Sequence, residues 1–244
     1  MKVTILGCGG WIPSYERMTC CYMVEHKSKL IFLDAGTGIA NLIQYKSILE
    51  NYKELHIILS HYHLDHTIGL SYLSNFVEEH TLFLYLPKNS FFEDGGKEIL
   101  NKLFSKEFFS REITNISRKV NFIEYDSDFF IDNISIHIRE QKHTSPSYGI
   151  MIDDLIAYCT DTIAEAESFV WAKKVKLLLH ECWDFSESKK LHASFEDIKL
   201  LSEKYDIKHT VLIHLNPNIM DDDYKKKCIG NRISIAKDFQ VFNL

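Results

Sequence analysis

Four side chains able to bind metal fall within six positions: His61, His63, Asp65 and His66. Imidazole nitrogen and carboxylate oxygen are the donors that borderline divalent cations such as zinc accept. The run follows directly on the apolar stretch Leu55–Leu59, which reads as a strand. A loop leaving a strand can turn alternate side chains to one side. In a chain of this composition the pattern HxHxDH arises by chance with a probability of about 0.2%. Scattered core or surface histidines are therefore a poor account of it.

Further donors recur where other strand-like runs end. His143 follows Ile134–Arg139, Asp161 follows Leu155–Cys159, His180 and Glu181 follow Val175–Leu179, and His214 follows Thr210–Ile213. Open α/β sheets collect their sites at one rim, at the carboxyl ends of strands. Donors in those places predict one shared pocket. His26, His56, His80, His137 and His209 lack this placement and read as structural.

The elements that must position these groups follow from periodicity. Strands are expected at those runs and at Val3–Leu6, Cys21–His26, Leu30–Leu33, Thr81–Leu86, Val120–Tyr125 and Ser147–Ile152. Ile134-Ser-Ile-His-Ile alternates, as a half-buried strand does. Leu177-Leu-Leu and Val211-Leu-Ile are unbroken, as strands covered on both faces are. Helices are expected at Gly38–Leu49, His66–Glu79, Lys97–Phe104, Ile163–Ala172, Ser194–Lys204 and Tyr224–Ile229. Ser194 with Asp197 three residues on predicts a helix-opening cap. Hairpins early and strand–helix alternation later predict an α/β fold with two packed sheets and helices outside. The economical organisation is a single domain over residues 1–244. Residues 87–118, with Phe91-Phe92 and Phe108-Phe109, are a candidate helical insertion over the site mouth or at a dimer contact; ordinary surface helices are the alternative.

Composition narrows the function classes. Hydrophobic residues make up 45% and charged residues 25%, the mixture of a globular enzyme. No apolar run reaches bilayer-spanning length. The opening Met1-Lys-Val-Thr-Ile-Leu reads as a first strand rather than a signal peptide, so cytoplasmic residence is expected. Six cysteines (8, 20, 21, 159, 182, 228) show no zinc-knuckle or CxxC spacing and are expected to be reduced packing residues. A net charge of −6 argues against a large nucleic-acid surface. The short basic clusters Lys173-Lys174, Lys189-Lys190 and Lys225-Lys226-Lys227 read as solvated faces.

In its motifs the chain resembles the metallo-β-lactamase superfamily, and within it the ribonuclease Z and small phosphodiesterase group. The motifs are Leu6-Gly-Cys-Gly-Gly with Pro13 and Arg17, Asp34-Ala-Gly-Thr-Gly and the HxHxDH run. They continue with His143-Thr-Ser-Pro-Ser-Tyr-Gly149, Cys159-Thr-Asp161-Thr, His180-Glu181, His192-Ala-Ser194 and Val211-Leu-Ile-His214. The resemblance implies a four-layer αββα sandwich: two mixed sheets flanked by helices. It implies that His61, His63 and His143 bind one ion and Asp65, His66 and His214 a second, with Asp161 bridging. The expected cofactor is thus a pair of divalent ions, zinc first, with manganese or iron as alternatives. Asp34 would support the ligands without touching metal; a plain turn aspartate is its alternative.

The chemistry this implies is attack by metal-bound hydroxide, with Asp65 orienting the nucleophile and taking its proton. Glu181 and His192 match the family's carboxylate–histidine pair that protonates a leaving alkoxide. Ser194 could face a phosphate or serve only as a cap, and Ser145, Ser147 and Tyr148 are candidate pocket residues. Two departures bear on the substrate. True ribonuclease Z carries a tRNA-gripping arm between the equivalents of His143 and Asp161, which here are 18 positions apart. Leu215-Asn216-Pro217-Asn218 lacks the family's usual serine and arginine. The expected substrate is therefore a small or exposed phosphodiester, a nucleotide or nucleic-acid end, with no tRNA arm, no membrane partner and a homodimer as the expected assembly. The competing readings are a tRNA 3′-processing-like nuclease, a lactone or thioester hydrolase, and a non-catalytic metal-bearing regulator.

Overall fold

The computed structural model describes residues 1–186, 191–228 and 232–244. The Lys189-Lys190 pair and the expected helix end at Ile229 lie outside the described residues. The first sheet contains β1 (Lys2–Gly7), β2 (Cys21–His26), β3 (Lys29–Leu33), β4 (Glu54–Ile58), β5 (Thr81–Pro87) and β6 (Lys119–Tyr125). The second contains β7 (Phe129–Ile131), β8 (Ile134–Gln141), β9 (Ser147–Ile152), β10 (Ile156–Cys159), β11 (Leu177–Glu181), β12 (Thr210–Ile213) and β13 (Ile233–Ile235). The last strand, β14 (Val241–Asn243), returns to pair with β1. The orders are β14-β1-β2-β3-β4-β5-β6 and β13-β12-β11-β10-β9-β8-β7, seven strands each. In each sheet antiparallel neighbours give way to parallel ones, at β3–β4 and at β10–β11.

The two sheets bury one face against each other and the other beneath helices, which is the expected four-layer sandwich. Ile5, Val24 and Ile31 of the first sheet share a core with Ile136, Ile150, Leu177 and Leu179 of the second. Leu178, between the last two, faces outward onto Phe169, Phe195 and Ile198. That two-residue alternation explains why β11 reads as an unbroken apolar run: both faces are covered. Burying each such leucine stabilises the fold by about 1.5–3 kcal/mol.

The helical segments are less regular than their periodicity predicts. Thr37–Tyr45 and Ile68–Asn75 are 3₁₀ helices, and α-helix covers only Lys46–Leu49 and Leu64–Thr67 beside them. The later helices are Gly96–Leu103, Ala166–Trp171, Phe195–Lys204 and Asp221–Cys228. Ser194 caps Phe195–Lys204 by accepting from the Asp197 amide. Residues 87–118 form the crossover from β5 to its parallel neighbour β6 and hold one eight-residue helix, Gly96–Leu103, and a 3₁₀ turn at Ile113–Asn115. Between His143 and Asp161 the chain is occupied by the β9–β10 hairpin, so no arm projects there.

All six cysteines are free, five of them buried. Among the described residues no helix is long and apolar enough to cross a membrane.

Candidate metal centre

Three candidate site residues share one backbone conformation within two residues of the ends of different strands. Asp34 follows β3 with φ 58°, Asp161 lies just past β10 with φ 48°, and His214 follows β12 with φ 46°. Left-handed backbone at non-glycine residues is uncommon and strained. Here it turns the chain sharply at the strand ends and leaves these side chains in one cluster. The HxHxDH run leaves the end of β4, and the short helix Leu64–Thr67 carries Asp65 and His66.

The imidazoles converge. The His61 ring lies 4.5 Å from that of His63, 4.3 Å from His66 and 5.4 Å from His143. His63 Nδ1 faces His143 Nε2 at 3.3 Å. Asp161 spans the cluster: Oδ1 is 3.3 Å from His143 Nε2, while Oδ2 is 2.9 Å from His66 Nε2 and 3.2 Å from His214 Nε2. Asp65 Oδ2 lies 3.2 Å from His214 Nε2 and 3.4 Å from His66 Nε2. All seven residues expected to hold metal are thus brought together.

Partners on the far side fix the rings. Buried Asp34 accepts from His66 Nδ1 at 2.6 Å, from Ser60 N and Oγ at 2.6 and 2.7 Å, and from the Tyr158 hydroxyl at 2.6 Å. Ser60 Oγ also meets His61 Nδ1 at 3.0 Å, and Ser145 Oγ meets His63 Nε2 at 3.3 Å. Holding the outer nitrogen leaves the inner one free for a cation. Among the described residues the buried Nε2 atom of His61 has no hydrogen-bond partner, and a buried polar atom without one is costly. His61, His63, His143 and Asp161 present donor atoms within 4.8 Å of one another. The residues present fit divalent cations.

Electrostatics agree. Burial lowers His66, but Asp65, Asp34 and Asp161 outweigh it and hold its pKa well above the ordinary value. His214 is likewise raised, by Asp161, Asp65 and Glu181 against burial. Burial and neighbouring histidines hold His61 well below its usual range, against the Asp161 carboxylate. The carboxylates that favour positive charge on His66 and His214 would equally favour a metal cation in the protons' place.

Glu181 and His192 stand at the edge of this cluster. Glu181 is fully buried; Oε1 accepts from Thr162 N and Ala193 N, and Oε2 lies 2.9 Å from His192 Nδ1. Burial pulls the His192 pKa down, but the Glu181 carboxylate raises it above the ordinary value. The His192 ring is 5.6 Å from His143 and stacks on Trp183 at 4.9 Å. His180, adjacent to Glu181 in a strand, points to the opposite face and packs on Phe169 at 5.2 Å. It is not brought to the cluster. Ser194 spends its hydroxyl on Asp197, donating to Oδ2 and accepting from N. Tyr148 lines a neighbouring groove, and Ser147 is buried against Thr160 O.

Four further residues support the cluster, and of these Ser145, a candidate pocket residue within the His143–Gly149 motif, is the one that carries a motif signal. The Trp11 amide donates to Asp65 Oδ2 at 2.8 Å. Trp183 stacks on His192, Ser145 holds His63, and the buried Cys20 thiol comes within 4.8 Å of donor atoms on His66 and His214.

The sandwich and its rim cluster define a protein of the metallo-β-lactamase fold. Over residues 1–241 the chain matches the family described as Anti-Pycsar protein Apyc1, and it belongs to that family. Among curated relatives, ribonuclease Z of Bacteroides thetaiotaomicron is 24% identical over 91% of this chain and 87% of its own length. Ribonuclease Z of Clostridium acetobutylicum is 31% identical over 72 residues, 29% of this chain and only 23% of that relative. Among solved structures, a diphosphatase from the PhnP family superposes with a TM-score of 0.79 at 16% identity, covering 100% of this chain and 97% of the other. YhfI from Bacillus subtilis gives 0.79 at 20% identity, covering 99% and 98%. The short form of human tRNase Z gives 0.70 at 17%, covering 100% and 99%.

Proposed function

We propose that this protein is a metal-dependent phosphodiesterase acting on a small or exposed phosphodiester, a nucleotide or a nucleic-acid end. His61, His63 and His143 would hold one ion, Asp65, His66 and His214 another, and Asp161 both; zinc suits this imidazole-rich donor set. Two such cations lower the pKa of water and clamp the oxygens of a phosphoryl centre.

The chain's own residues supply the proton traffic. Asp65, held by the Trp11 amide, is placed to orient the attacking water and take its proton. The Glu181 carboxylate accepts from His192 Nδ1 and favours the imidazolium, whose Nε2–H would pass its proton to the departing alkoxide oxygen. The Glu181–His192 pair beside the cluster is the observation that carries the reading. Carbonyl esters with good leaving groups have no need of it, whereas an alkoxide leaving from phosphorus does.

The surroundings support a compact substrate. The crossover 87–118 abuts the HxHxDH loop through Tyr62, whose hydroxyl donates to Pro87 O and whose ring meets Phe92 at 5.1 Å. The groove there, about 630 Å³, is lined by Glu93, Asp94, Glu124, Asp126 and Glu140, with Lys88 the single cation among the described residues that line it. A polyanionic strand would be repelled from such a wall. That a ribonuclease Z and a diphosphatase are among the proteins this chain resembles supports cleavage at phosphorus.

The test is hydrolysis of bis(p-nitrophenyl) phosphate, linear and cyclic nucleotide phosphodiesters, a tRNA precursor and a lactone panel by zinc-loaded protein. Turnover of the small phosphodiesters is expected. Activity on lactones alone, or on none of these, would overturn the reading.

A further inference from the structure

Trp11 is held in a conformation that its side chain opposes. Its φ is 64°, in the left-handed region where a bulky residue is a genuine outlier. It follows Gly9 and Gly10, and glycine at position 11 would relieve the strain. The indole gains nothing from the core in return, being 63% exposed. Strain of this kind persists where the surroundings impose it, and it gathers at functional sites.

The surroundings are the metal centre. The Trp11 amide donates to Asp65 Oδ2. Gly10 packs so closely on His214 that a Cβ there would lie 2.5 Å from the ring. Gly10 N is fixed to Leu215 O at 3.1 Å, and Ile12 N returns to Gly10 O at 2.8 Å. The backbone that carries the indole is therefore anchored beside one half of the cluster, while the side chain is largely in solvent. Leu64, between His63 and Asp65, is also exposed. The cluster itself offers imidazoles and carboxylates, which suit cations, and through bound cations phosphoryl oxygens, but give no grip on the organic part of a substrate.

We propose that the Trp11 indole is the stacking platform for a planar aromatic group carried by the substrate, a nucleobase or an aryl ester group. The assignment rests on the phosphodiesterase reading and adds the residue that discriminates between substrates. Stacking of a base on an aromatic side chain gives about tenfold or more in affinity.

The test is calorimetric titration of zinc-loaded wild-type, Trp11→Gly and Trp11→Asn protein with AMP and with ribose 5-phosphate, ligands that differ by the base. Both variants suit left-handed backbone, and Phe130→Ala, which removes an exposed aromatic elsewhere, is the control. Wild type and the control should favour AMP by about tenfold, and both Trp11 variants by less than about threefold. An AMP preference retained in the variants overturns the proposal. So does a wild-type dimer that the variants convert to monomer with that preference intact, since the indole would then be covered by a second copy. Bis(p-nitrophenyl) phosphate hydrolysis by the same wild-type preparation separates the two claims. Its absence removes the phosphodiesterase reading, while the titrations still decide Trp11.

Discussion

Glu181 Oε2 lies 2.9 Å from His192 Nδ1, and the same oxygen is 3.3 Å from Nδ1 of His214. One buried carboxylate thus touches both the proposed proton donor and a candidate metal ligand. Its other oxygen is held by two backbone amides, so its position does not depend on either ring.

Replacing that carboxylate by an amide should expose its role in proton donation. For Glu181→Gln we expect kcat to fall about 10²-fold or more on phosphodiesters with alkoxide leaving groups. The loss should be much smaller with p-nitrophenolate, which leaves without help. Steady-state kinetics on the two substrate types checks this; an equal loss on both would assign Glu181 to metal holding alone.

Asp34 touches no other donor of the cluster except through His66 and Ser60. Asn tolerates left-handed backbone, so Asp34→Asn keeps the turn and removes the charge that orients His66. Zinc affinity should fall by about 10–100-fold, read by competition with a chromogenic chelator. Unchanged affinity would make Asp34 a plain turn residue.

Gly10 permits the approach of the loop to His214. In Gly10→Ala the new Cβ must displace the imidazole ring, and a shift of about 1 Å at a site of this kind costs about 10²-fold in rate. Zinc binding at the Asp65–His66–His214 position should weaken in step, as measured by metal content after dialysis. Full metal content with full activity would show that the ring has room to move.

His56 on β4 connects the fold to pH. Burial, aided by the Lys29 charge, lowers its pKa to about 4, and it stacks on Phe83 at 4.9 Å. Unfolded, it titrates near its ordinary value of about 6.5. Between those values the unfolded chain binds more protons, so stability is full above about pH 6.5 and declines as pH falls toward about 4. His56→Gln, which does not titrate, should flatten that part of the profile. Urea midpoints at pH 7 and 4.5 for both proteins provide the check, and an identical pH dependence would contradict it.

Much of this site is legible in the sequence because its signals are local. The HxHxDH run sits in one short stretch after β4, and the donors past β10 and β12 stand within two residues of runs that announce themselves as strands. Asp34 is legible only through its motif, since nothing local says that a carboxylate after β3 will meet His66. Placement at a strand end does not by itself separate His180 from Glu181 as donors; the motif singles out Glu181, and the strand's two-residue alternation turns the two side chains to opposite faces. β7, β13 and β14 escaped because three residues carry too little pattern, and the 3₁₀ segments because apolar spacing does not separate them from α-helix. The contacts of Trp183 with His192, Ser145 with His63 and Trp11 with Asp65 join distant stretches that only the folded chain brings together.

The central claim is that the imidazoles and carboxylates around Asp161 form one centre for two cations. Metal analysis of zinc-reloaded protein, wild type beside Asp161→Ala, tests it most directly. The account predicts about two zinc ions per wild-type chain and weakened binding of both in the variant. Wild-type protein that takes up no zinc, or a variant that retains both ions at unchanged affinity, would contradict it.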